Sequence, residues 1–333
     1  MKGRRHSWCA LAAAALIACF GAQIPWAQVT PVTQSLAPTS GCLFGVYNKP
    51  GKLQRQQALL NLESQVGRRF GIDRMFYLWD DPIPTDYDAW NVQQGRVVFL
   101  SWKPIKRDGT VILWNSIAAG DEDTTIAARA AAFRQFDGRV MLAFHHEPEN
   151  DPANGKAADF RSAFRHVVQV FRGAGVTNVE WVMILTHKTY ASGHPDNWYP
   201  GDDVIDWIGG DGYNWYLSES QPDAPWTSFS DIFTPLHAWG MTHAKPLVVA
   251  EYGCQEDPAL AGRKGAWFDE AAATLKSWPE VKAVTYMNYN DSAYHWWVQS
   301  SDSALAAFGR MGADPYFNSG VRNACGPTWN TYQ

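Results

Sequence analysis

The stretch VMLAFHHEPE, residues 140–149, decides the fold. Its first five residues are apolar without a break, the pattern of a β-strand covered on both faces. Polar groups then arrive together, with His145, His146, Glu147 and Glu149 around Pro148. PLVVAEYG, residues 246–253, has the same form, an apolar run that ends on Glu251. Strands that are apolar along their length and reactive at the C-terminal end belong to parallel sheets wrapped in helices, where one edge carries the chemistry.

Six more strand-like runs lie at 43–48, 72–79, 96–102, 179–186, 206–213 and 283–289. Amphipathic stretches separate them at 53–66, 124–136, 160–172, 228–239 and 266–276. The third sets Phe160, Phe164, Val167, Val168 and Phe171 on one helical face, and Gly173 and Gly175 read as its stop. Strand alternating with helix eight times in about 290 residues is the pattern of a (β/α)8 TIM barrel. A doubly wound sheet shares the alternation. The strand count, with no composition break and no internal repeat, favours a single α/β barrel domain over residues 42–333.

Composition narrows the partner. Charged residues are 18% of the chain, the formal charge is −5, and no basic run is interleaved with aromatics. That excludes nucleic acid as the main partner and fits a neutral substrate. The 17 Trp are unusual. Trp fills cores, but in polar, loop-like contexts it also forms platforms for sugar rings.

The first residues read as an export signal over 1–27. Lys2, Arg4 and Arg5 precede an apolar run, 10–20, that is too short to span a bilayer. Cleavage after Ala27 is one reading, although Pro25 suits a small-residue site poorly. LIAC, residues 16–19, resembles a bacterial lipobox with Cys19 as the lipidated residue, and both readings stay open. Residues 28–41 read as a Pro/Thr/Ser linker. The expectation is a secreted monomer, free or lipid-anchored through Cys19. Export permits disulfides. Cys42 precedes the first strand and Cys325 follows the last helix, so a bridge between them would close the domain, with Cys254 a buried filler.

In a barrel, Glu147 and Glu251 end strands four and seven at the same mouth. Two carboxylates across a cleft are what glycoside hydrolysis needs, one as proton donor and one as nucleophile or base. Glu149 is the rival acid, farther from the barrel axis. Tyr213, at the end of strand six, is placed to donate a hydrogen bond to Glu251. His146, Tyr213, Trp102, Trp215, Trp296, His145 and Asn288 are the candidate substrate contacts. The plain alternatives are a strand-end ion pair for the glutamates, a half-buried tyrosine, and Trp packed under loops. His145 and His146 invite a metal, but no His-x-His on the first strand and no His-Glu-x-x-His helix supports one. No metal and no cofactor are expected. A non-catalytic carbohydrate-binding barrel is the second hypothesis, and a metal-dependent barrel hydrolase the third.

Taken together, these residues resemble glycoside hydrolase family 26. The resemblance lies in residues 121–147, 163–172 with 177–182, 199–203 with 206–213, 245–253, and 264–268 with 281–284. Order and spacing carry it rather than one motif. It implies a retaining hydrolase of β-linked polysaccharides, most often β-1,4-mannan, sometimes β-1,3-xylan or mixed-linkage β-glucan. It makes Glu147, after His146, the acid/base, Glu251 the nucleophile and Tyr213 the partner of the nucleophile. The chain departs from the mannanase pattern beside Glu147. Ala143, Phe144 and His145 stand where Arg-Pro commonly precedes the His-Glu pair, and Pro148 and Glu149 where Met-Asn commonly follows.

Overall fold

A computed structural model describes residues 35–291 and 293–318. Among these residues eight strands close into a barrel in sequential order, each parallel to both neighbours. They are β1 (Leu43–Asn48), β2 (Ile72–Leu78), β3 (Val97–Lys103), β4 (Val140–Phe144), β5 (Val179–Thr186), β6 (Trp207–Asn214), β7 (Leu247–Cys254) and β8 (Val281–Asn288). The outer layer holds α1 (Arg55–Val66), α2 (Asp86–Gln93), α3 (Trp114–Ala119), α4 (Asp123–Gln135) and α5 (Ala157–Gly173). It continues with α6 (His187–Ala191), α7 (Phe229–Gly240), α8 (Arg263–Ser277) and α9 (Asp302–Ala313). This is the expected (β/α)8 barrel.

Alternation along each strand separates two cores. Val97, Phe99, Met141, Ala143, Val248 and Ala250 pack inside the barrel. Val98, Leu100, Leu142, Phe144 and Val249 face the helices. The α5 face read from the sequence is buried as expected, with Ala163 added. The short α2, α3 and α6 carry too few apolar positions to announce themselves. Only a capping box at α2, in which Thr85 and Asp88 bond each other's backbone N–H, was there to be read.

β7 contains one extra residue. Its register passes from Gly210↔Val249 to Asp211↔Glu251 on one side, and from Val249↔Val284 to Tyr252↔Tyr286 on the other, so Ala250 is a bulge. The Thr285 hydroxyl donates to the Ala250 carbonyl. Strict alternation from Val248 and Ala250 would send Glu251 outward. The bulge turns it into the barrel mouth, as bulges beside active sites do.

The segment read as a linker joins the fold before Cys42. Leu36 is buried against Leu43, Ile72 and Val97 at the closed end of the barrel. Its N–H donates to Glu180 Oε1 at 2.7 Å, and Trp207 Nε1 donates to Glu180 Oε2 at 2.6 Å. Arg139 pairs with the same carboxylate. The export segment, with Cys19, and the expected bridge partner Cys325 lie outside the described residues. Cys42 is fully buried at the start of β1.

Removing one partner of a buried, hydrogen-bonded ion pair typically costs about 3–5 kcal/mol. Glu180→Ala is therefore expected to lower the unfolding free energy by about 3 kcal/mol in denaturant titrations. An unchanged midpoint would show that the carboxylate does not secure the closed end.

Candidate active site

At the open end, β-strand termini enclose a cleft of about 910 Å³. His146, Glu147, Tyr213, Trp215, Glu251 and Trp296 line it, together with Tyr47, Phe76, Glu149, Asp211, Tyr289 and Tyr294. Three other expected contacts are not brought to the cleft. Trp102 is fully buried on the helix side of β3, where its ring stacks on Trp79 at 4.1 Å and 8°. Alternation already placed it there, because Val97 and Phe99 face inward. Asn288 ties β8 to β1 through Asn48 Oδ1 at 2.8 Å and accepts from Val298 N at 2.9 Å. His145 is fully buried against Trp114, with ring centroids 5.2 Å apart, because its backbone leaves the strand at φ 53°.

Glu251 is held on both oxygens. Arg74 Nη2 donates to Oε1 at 3.1 Å and Tyr213 Oη donates to Oε2 at 2.6 Å. Arg74 is fully buried inside the barrel, bonded also to Ser101 Oγ at 2.7 Å and set 4.3 Å from the Phe76 and Phe99 rings. Sequence reasoning missed it. The available signal was a lone cation at an inward position of β2, between Ile72 and Phe76.

Asp211 is the second carboxyl beside Glu251, buried and accepting no hydrogen bond on either oxygen. Burial pushes both carboxyls up; the Glu251 charge raises Asp211 further, whereas Arg74, Tyr213 and Asp211 all pull Glu251 back down. Asp211 is raised well above the usual carboxylate range and is the member of the pair that favours keeping a proton. The guanidinium and the phenol leave Glu251 as the ionised member.

Glu147 has the opposite surroundings. Burial, then the charges of Glu251 and Glu149, push its carboxyl up to about 8 against weaker help from Asn150 and Lys103. Asn150 Nδ2 donates to its Oε2 at 3.1 Å. His146 lies edge-on to Phe76, with centroids 5.1 Å apart, and burial followed by the nearby Arg74 and Lys103 charges keeps it neutral. Glu149 is turned away from this chemistry, accepting from Thr186 N at 2.6 Å and Thr189 Oγ1 at 2.8 Å at the start of α6.

The aromatic wall is layered. Tyr213 stacks on Trp296 at 4.0 Å and 8°, and Trp296 on Tyr294 at 4.0 Å and 19°. Trp296 is only 3% exposed, so both of its faces are taken and it serves as a wall rather than a sugar platform. Trp215, edge-on to all three rings, keeps partial exposure. Lys264, buried in α8, pins this loop through Trp297 O at 2.7 Å and Ser300 Oγ at 2.9 Å. Among the described residues, no three His, Cys, Asp or Glu side chains are grouped to hold a metal ion.

Known structures share this architecture. A family 26 β-mannanase from Bacteroides ovatus superposes with a TM-score of 0.61 at 16% identity, covering 84% of this chain and 90% of that one. A modular endo-β-1,4-mannanase of family 26 from Cellulomonas fimi gives 0.61 at 16%, covering 87% and 74%. The fold is that of the family 26 glycoside hydrolases.

Family 26 structures are thus likenesses of fold, and sequence gives a second line. The chain is 28% identical over 286 residues to endoglucanase H of Acetivibrio thermocellus, covering 81% of this chain and 30% of that protein. It is 26% identical over 307 residues to a β-1,3-xylanase of a Vibrio species, covering 79% and 64%. The chain therefore spans less than two thirds of either relative. No family model matches it.

The native Glu147 carboxyl holds its proton to about pH 8, whereas an unperturbed glutamate releases it near 4.5. Between those values the native state binds the extra proton, so stability declines as pH rises through the window. Buried Asp73, pushed up to about 7 mainly by burial, acts in the same direction. Unfolding midpoints are expected to fall from pH 5 to pH 8, and Glu147→Gln to flatten that fall, as read by thermal or denaturant unfolding across about three pH units. A variant with the wild-type slope would place the titration elsewhere.

Proposed function

We propose that this protein is a retaining glycoside hydrolase that cleaves a β-linked polysaccharide by double displacement. The observation that carries the reading is the pair of unlike carboxyls in one cleft. Glu251 is ionised, with Arg74 and Tyr213 on its two oxygens. Glu147 is protonated, pushed up to about 8. Carboxyls driven apart in this way mark a nucleophile and an acid.

In the first step Glu251 attacks the anomeric carbon. The bond to the glycosidic oxygen breaks as Glu147 gives that oxygen its proton, leaving a glycosyl ester on Glu251. In the second, Glu147, now a carboxylate, takes a proton from water as the water oxygen displaces Glu251. Retention requires the carboxyl groups to lie about 5–5.5 Å apart, since inversion needs about 6.5–9.5 Å to admit a water. Tyr213 and Arg74 hold the nucleophile ionised and steer it.

The substrate is a neutral β-glycan. β-1,4-Mannan is the expectation from the sequence resemblance. Two sequence relatives are named as an endoglucanase and a β-1,3-xylanase, so glucan and β-1,3-xylan stand beside it in the same proposal. Of the departures flanking Glu147, only Glu149 lines the cleft; Ala143 faces the barrel core, Phe144 the helices, and His145 and Pro148 are buried. The export signal read over residues 1–27 supports action outside the cell.

A panel of glucomannan, galactomannan, β-1,3-xylan and barley β-glucan, with product sizing, tests the reading; binding without turnover on all four would turn it to a carbohydrate-binding barrel. Glu251→Ala should abolish hydrolysis, with added azide trapped as the α-glycosyl azide. A β-azide product would reassign the nucleophile. Glu147→Ala should lose far more on polysaccharide than on aryl glycosides with good leaving groups. The general acid must be protonated to act, so kcat/KM on polysaccharide should hold to about pH 8 and fall above it.

A further inference from the structure

Three non-glycine residues among those described have left-handed backbone, and two of them, His145 (φ 53°) and Glu147 (φ 49°), flank His146. Such conformations persist where the surroundings over-determine them. Here the backbone is held from both sides, His145 N by Trp102 O of β3 at 3.1 Å and Glu147 N by Ile184 O of β5 at 3.0 Å.

The side chain of His145 adds a second restraint. Trp114 Nε1, at the start of α3, lies 3.0 Å from His145 Nδ1. An indole N–H only donates, so Nδ1 carries the lone pair and Nε2 carries the proton. Nε2 donates to Asp151 Oδ2 at 2.8 Å, and Lys103 Nζ of β3 meets the same oxygen at 2.7 Å. Burial alone would raise Asp151, but the hydrogen bonds from His145 and Lys103 outweigh it and bring the carboxyl down to about 2. His145 opens the turn that carries Glu147, and Asp151 closes it, immediately after the 3₁₀ turn Pro148–Asn150. None of these four side chains lines the cleft.

We propose that Trp114, His145, Asp151 and Lys103 form a clamp that closes the turn from 145 to 151 and so positions the Glu147 carboxyl. The proposal rests on the acid/base reading of Glu147 given above. Glu147 is faced by Glu251 from β7, Asp211 from β6, Lys103 from β3 and Glu149 from its own turn. His145 is faced by Asp151 and Lys103. With the clamp opened, the turn relaxes, and Glu147 moves toward solvent and away from Glu251. Both changes lower its proton affinity.

The test uses the full chain with Asp151→Ala, His145→Phe and His145→Gln, the last able to accept from Trp114 and donate to Asp151. Losing a side chain that orients a functional group costs about 10- to 100-fold at metal sites, and a similar scale applies to this turn. That loss is expected in kcat/KM on polysaccharide for Asp151→Ala and His145→Phe, with less than about threefold on a dinitrophenyl glycoside that needs no acid. The alkaline limb should move to lower pH, and His145→Gln should restore much of both. A crystal structure of Asp151→Ala should show Glu147 out of the left-handed region. Equal losses on both substrates, an unmoved alkaline limb, or Glu147 still near φ 49° without Asp151 overturns the clamp. If the unmodified protein turns over neither substrate, the hydrolase reading falls, and the backbone of Asp151→Ala still decides the clamp.

Discussion

The open end of this barrel is arranged around one buried cation. Arg74 has no exposure, and the barrel interior around it is otherwise packed with apolar side chains. A charge in such a place is tolerated only with a partner and with its remaining donors engaged. Ser101, the Met75 carbonyl and two aromatic faces meet part of that need. Glu251 supplies the counter-charge, while Nε makes no hydrogen bond, and the pairing favours the ionised carboxylate deep in the core. The same cation sets the roles around it. Asp211 lies too far along the proton-binding side to share the charge, Glu147 has no guanidinium of its own, and His146 is discouraged from taking a proton. Burial pushes the neighbouring carboxyls up and the imidazole down, and Arg74 is the charge that opposes burial most at Glu251.

Around that charge the cleft is built from two kinds of support. On the β4 side the support is polar and runs through backbone strain and hydrogen bonds. On the β6 and β8 side it is a stack of rings, Tyr213 on Trp296 on Tyr294, pinned from below by Lys264. Glu147 is set by a turn and Glu251 by a packed wall. The difference matches the roles proposed for them, because a general acid must exchange a proton with two oxygens in turn while a nucleophile must return to one place.

Much of this was legible in the residues. Eight apolar runs with amphipathic stretches between them gave the barrel, and the polar strand ends gave the mouth. Period-two reading, applied strictly, would also have removed Trp102 and Asn288 from the cleft and brought in Tyr47, Phe76 and Arg74. It would have failed at Glu251, whose inward aim depends on the Ala250 bulge, and at His145, turned aside by a left-handed backbone. Neither event has a local signature, since no glycine or proline marks either position. The short helices were hidden for another reason. Five to eight residues do not contain enough apolar repeats to define a face, so tertiary packing rather than propensity makes them helical. Leu36 was concealed by its company of Pro, Thr and Ser, a composition that reads as unstructured chain.

That leucine has a consequence for how the molecule stands. By seating under the barrel and bonding to Glu180, it makes the chain enter the domain at the pole opposite the open mouth. Residue 35 thus sits at the foot of a cup, on the side away from its rim, and the approach to the rim is left clear of the point where the described chain begins.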